Sequence, residues 1–130
     1  MTHASGTFEV KLIPLTQDDE FEDDNLGRMT IDKQFFGDLE AISKGQMLSA
    51  MTAVEGSASY VALERVSGTL HGRSGSFVLQ HNGTMTRGAG QLSVTVVPDS
   101  ATGELAGLTG TLEIEISEGK HFYTFVYSFT

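Results

Sequence analysis

The 130-residue chain contains no cysteine, which excludes disulfides, thiol nucleophiles and cysteine-held zinc together. Basic residues are scarce: eight Lys and Arg stand against seventeen Asp and Glu, a formal charge of −9. A nucleic-acid backbone or an anionic membrane would meet a repelling field, so neither is expected as a partner. The opening residues, MTHASGTFEV, have no basic start and no long apolar run. No secretory signal or membrane span is therefore expected, and a reducing cytoplasm is the expected compartment. No stretch of ten or more residues keeps a helical stripe.

What is present is alternation. Apolar residues make up 39% of the chain and glycines number fifteen, a balance that suits one folded domain, residues 1–130, with many tight turns. Apolar and polar residues alternate at period two over approximately 5–14, 28–36, 46–54, 58–70, 73–81, 90–97, 109–117 and 120–129, which predicts eight strands. Eight short strands at regular spacing predict an all-β fold, a closed antiparallel up-and-down barrel that leaves no free edge. The acids Asp18, Asp19, Glu20, Glu22, Asp23 and Asp24 crowd one predicted loop. The other eleven acids against eight bases leave only −3. The acidic run lacks the spaced Asp, Asn and Gly of a calcium loop, so solvated charge is expected there. Residues 98–107, PDSATGELAG, form the second long connection, with room for one helical turn; the glycines there lack the order of a phosphate cradle.

Turn chemistry assigns faces. With Glu118-Gly119 as a two-residue turn, Ile116 lies opposite His121, Ile114 opposite Tyr123 and Leu112 opposite Phe125, an apolar face that must look inward. Phe122 and Val126 then share the outer face with Glu113 and Glu115. With His71-Gly72 as the turn, Val66 pairs with Phe77, Glu64 with Leu79 and Ala62 with His81; a three-residue turn would instead turn His81 outward. In the two-residue register Glu64 and His81 are diagonal neighbours on the inner face. In a meander, His81, His121 and Tyr60 fall at one end of the barrel, and His81 is expected to end the row Phe77, Leu79, His81 where the interior meets a mouth.

The segments YVALERVSGTLHGRSGSFVLQHNGTM (60–85), VVPDSATGELAGLTGTL (96–112) and GKHFYTFVY (119–127), extended by KQFFGDLEAISKGQML (33–48), resemble an uncharacterised bacterial family, domain-of-unknown-function family 3224. The resemblance implies a closed eight-stranded barrel like that of allene oxide cyclase, in some relatives with a small hydrophobic molecule inside. It implies no activity.

Candidate residues follow from the faces. Glu64, His81 and Tyr123 are the candidate catalytic groups, because a buried carboxyl beside an imidazole or phenol moves protons. Tyr60, Glu64, Phe77, Leu79, His81, His121, Tyr123, Phe125 and Tyr127 are the candidate ligand-binding set. His81, His121 and Glu64 are of metal-ligating type but lack any close spacing, so no metal is expected, and no pattern calls for a cofactor. An eight-stranded barrel either fills with side chains or holds one small ligand. Three readings result: a barrel binding a small apolar or aromatic molecule; an isomerase or cyclase using Glu64 with His81 or Tyr123; and an interaction protein whose outer apolar face forms a homodimer or homotrimer.

Overall fold

The computed structural model describes residues 1–15 and 25–130; the acidic run, with its calcium reading, lies outside them. Eight strands occur among these residues: β1 Thr2–Pro14, β2 Leu26–Gly37, β3 Leu39–Met51, β4 Ala58–Leu70, β5 Arg73–Thr86, β6 Ala89–Val96, β7 Leu108–Ser117 and β8 Lys120–Phe129. Each pairs antiparallel with the next, and β8 pairs with β1, so the sheet closes as an up-and-down barrel. Among the described residues no helix is long and apolar enough to cross a membrane.

The hairpins show why the register came out of the turns. His71 and Gly72 have φ of 46° and 79°, Arg87 and Gly88 46° and 91°, and Glu118 and Gly119 51° and 79°. Positive φ at both central residues is the turn whose twist matches that of its flanking strands. Accordingly Val66 pairs with Phe77, Glu64 with Leu79 and Ala62 with His81, and Ile116 pairs with His121. The two-residue alternative holds, and His81 faces inward.

Several strands are longer than the alternation predicts, β2 by three residues across its two ends. β1 starts at Thr2 rather than 5, β3 spans Leu39–Met51 rather than 46–54, and β5 continues to Thr86 rather than stopping at 81. In β5 the Asn82-Gly83 pair reads as a turn, yet it stays in the sheet opposite Val61 and Tyr60. Glycine is needed there for another reason: a Cβ on Gly83 would lie 2.6 Å from Cε1 of Tyr60. The inward row therefore runs on through Gly83 to Met85, and His81 stands inside the barrel, not at its rim.

The two ends differ. At one end the connection from β6 to β7 folds back along β5, with Thr102 N–H donating to Ser76 O at 2.8 Å and Val78 N–H to Ser100 Oγ at 3.0 Å. It includes a 3-10 turn, Gly103–Leu105, the single helical turn allowed for in this segment. Leu105 is fully buried with Leu39, Leu70 and Leu108, closing that end. Inside it, Phe77 stacks on Phe125 at 5.8 Å between centroids. At the other end Leu12, Met51, Met85 and Ile116 remain exposed.

Candidate functional site

Above the packed half the barrel is hollow. A cavity of about 680 Å³ opens at the end marked by Leu12, Met51, Met85 and Ile116. Its wall is largely apolar: Val10, Ile31, Leu92 and Ile114 contribute, and so do Met29 and Met47, paired across β2 and β3. Four of the five methionines line this space. Their flexible, polarisable thioethers adapt to ligand shape better than branched side chains do. A second depression, about 870 Å³, lies on the outside of the barrel between outward side chains such as Leu48, Val61, Leu63 and Gln80; alternation keeps it apart from the interior polar groups.

Those interior groups meet at the cavity floor. Glu64, 1% exposed, receives three donors: Lys33 Nζ at 2.9 Å and His81 Nε2 at 2.7 Å on Oε1, and Ser43 Oγ at 2.6 Å on Oε2. Tyr60 Oη lies 3.2 Å from His81 Nδ1. The carboxylate fixes the tautomer, since an imidazole that donates from Nε2 accepts at Nδ1, and the Tyr60 hydroxyl supplies that proton. Lys33 also lies over the rings of Phe8 and Phe35, 4.9 Å and 5.7 Å from their centroids.

Two protonation states are displaced by this arrangement. Burial by itself raises the Glu64 pKa; the hydrogen bond from His81, the charges of Lys33 and His81, and the Ser43 hydroxyl together outweigh it and hold the carboxyl at about 2. Burial first, and the Glu64 charge second, push the Tyr60 phenol up, so at neutral pH it remains a donor. Glu64 is thus a fixed anion that organises its neighbours. Of this cluster, Lys33, His81 and Tyr60 line the cavity; His121, Ser49, Ser59, Thr84 and Gln91 line it elsewhere.

Of the sequence-derived candidates, Tyr60, His81 and His121 line the cavity and Glu64 lies directly behind it. His121 stands apart from the polar cluster, its ring 5.0 Å from that of Phe8. Phe77, Leu79, Tyr123, Phe125 and Tyr127 do not line the cavity: they are buried in the packed half. Tyr123 is occupied there, its Oη accepting from Leu39 N–H at 2.9 Å and donating to Phe36 O at 2.9 Å. Placement on the inward face does not settle the level along the barrel axis, and these residues sit one or more steps too deep. Lys33 and Ser43 were missed, although Lys33 stands in the inward row Met29, Ile31, Lys33, Phe35. That single cation on an otherwise apolar row was the available signal.

The model of a family described as "Protein of unknown function (DUF3224)" matches residues 4–127. The chain belongs to the DUF3224 family. A crystal structure at 1.84 Å of a DUF3224 protein of unknown function from Shewanella oneidensis MR-1 is similar throughout. It shares 56% identity, the alignment covers 100% of this chain and 98% of that one, and the TM-score is 0.94. Among curated proteins no match is found. The closed barrel implied by the resemblance to DUF3224 is the fold present here.

Proposed function

We propose that this protein holds one small apolar molecule in the open half of its barrel. The observation that carries the reading is the cavity of about 680 Å³, largely apolar along its wall, with a cluster of polar groups at its floor. Its volume lies within the range of roughly 300–1,000 Å³ common for small-molecule sites, and a few convergent polar groups in an apolar pocket are their usual composition. The methionine lining suits a ligand class broader than a single rigid shape. The test is titration with N-phenyl-1-naphthylamine, a neutral fluorophore that brightens in apolar surroundings. Saturable 1:1 binding is expected, and Ala58→Trp, which places an indole across the cavity wall near its mouth, should weaken it at least tenfold. Binding that is absent, or unchanged by Ala58→Trp, would overturn the reading.

A proton-transfer reading has one observation in its favour, the chain from Tyr60 through His81 to Glu64 that ends at the cavity. Glu64 would orient His81 and stabilise its cation, and Tyr60 with His81 would exchange the proton. Deuterium uptake from D2O at carbons next to a bound carbonyl would report it. Uptake that persists in both Tyr60→Phe and Glu64→Gln would end this reading.

A further inference from the structure

The floor of the cavity specifies which head group fits. Glu64 has both oxygens engaged by three donors, and His81 has both ring nitrogens engaged, by Glu64 and Tyr60. The Tyr60 proton is directed at His81. Lys33 is different. An ammonium carries three donors, and its hydrogen bond among the described residues is the one to Glu64. Lys33 is only 6% exposed, yet it lines the cavity. Its Nζ also lies over the Phe8 and Phe35 rings, 4.9 Å and 5.7 Å from their centroids, which leaves donor capacity unspent. The floor therefore offers donor capacity and asks for an acceptor.

Charge restricts that acceptor further. The positive Lys33 and negative Glu64 cancel at 2.9 Å. A carboxylate head would bring an uncompensated negative charge into this enclosure beside the Glu64 anion, and an ammonium head would face Lys33; each carries the penalty of a buried unpaired ion. An uncharged oxygen that only accepts carries neither penalty.

We infer that the ligand is a neutral apolar molecule bearing one carbonyl oxygen, a ketone, aldehyde or ester, seated with that oxygen on Lys33 and its hydrocarbon toward the methionine-lined mouth. This rests on the binding reading above and deepens it by naming the ligand class and its orientation. Lys33 then acts as the specificity-determining residue, held in place by Glu64 from behind.

The experiment uses 2-nonanone, nonanoate and nonane as competitors of N-phenyl-1-naphthylamine at pH 8, together with infrared spectra of carbonyl-13C 2-nonanone. Expected are tighter binding of 2-nonanone than of nonanoate, and a carbonyl stretch in the complex shifted to lower frequency than in hexane. In Lys33→Met/Glu64→Gln, which removes both charges together, affinity for 2-nonanone should fall several-fold, nonane should be unaffected and the shift should disappear. Nonanoate binding as tightly as 2-nonanone, or an unshifted carbonyl in the wild-type complex, overturns the inference. Should the double variant fail to fold, the wild-type spectrum decides alone. The two readings separate cleanly: fluorophore and nonane binding without the carbonyl signature sinks the ligand class and spares the cavity, whereas no fluorophore binding sinks both.

Discussion

Glu64 is the residue on which the interior chemistry turns, and its effect on stability has a definite sign. Its carboxyl titrates at about 2 in the folded protein against an ordinary 4.5, so folding favours the ionised form. The resulting stabilisation is complete above about pH 5 and is lost as the pH falls towards 2. At roughly 1.4 kcal/mol per pH unit it amounts to about 3 kcal/mol. Urea denaturation between pH 2 and 6 should show this loss in the wild type, and a pH profile flatter by about that amount in Lys33→Met/Glu64→Gln. The same pair yields a second prediction. Lys33→Met alone leaves the carboxylate without its counter-ion and should cost about 3–5 kcal/mol, whereas the double variant, with no buried charge left, should recover much of that loss. Midpoints of urea denaturation at pH 7 measure both. Glu64 and His81 were legible because one turn, His71-Gly72, fixes their register across a single hairpin. Lys33 and Ser43 were not, because they reach Glu64 from β2 and β3, and which side chains meet across a barrel depends on strand stagger that period-two alternation does not encode.

At the level of elements, turns were legible and strand ends were not. Each two-residue hairpin has a glycine second, and the pairing it sets is the pairing found. Just past the early end assigned to β5 stands Asn82-Gly83, a strong turn signal in isolation. Here the missing Cβ makes room for the Tyr60 ring instead. The late start assigned to β3 has a similar origin: Leu39, Ala41 and Ser43 alternate inward with Glu40, Ile42 and Lys44 outward, but small and charged residues give that rhythm little contrast. The closing connection between β6 and β7 supports a prediction of its own. Leu105 is 0% exposed and packs with Leu39, Leu70 and Leu108. Leu105→Ala should cost about 2–5 kcal/mol by leaving a void the surrounding strands cannot fill, measured as a lowered urea midpoint with an unchanged denaturant slope.

For the whole molecule, closure of eight strands in sequence order followed from their number, spacing and short connections. Which half would be hollow did not, because volume at a given level is the sum of side chains from all eight strands. The packed half receives Phe35, Phe77, Tyr123 and Phe125; the open half receives Val10, Gly83 and Gly90 among its lining. A molecule that occupies the open half binds only the folded state, so it must raise thermal stability by mass action. At a free concentration a hundredfold above its dissociation constant, N-phenyl-1-naphthylamine should add about 2.7 kcal/mol. Scanning calorimetry should register that gain as an upward shift in Tm for the wild type and little shift in Ala58→Trp.

Because Leu105 and its neighbours seal the far end, the hollow is a blind bore and not a conduit. On the ligand class inferred above, a bound molecule would enter with its polar end leading and leave with its hydrocarbon tail first, past Met51 and Met85 both times. On that reading uptake and release would share one mouth, and any hand-over to another molecule would begin with the tail.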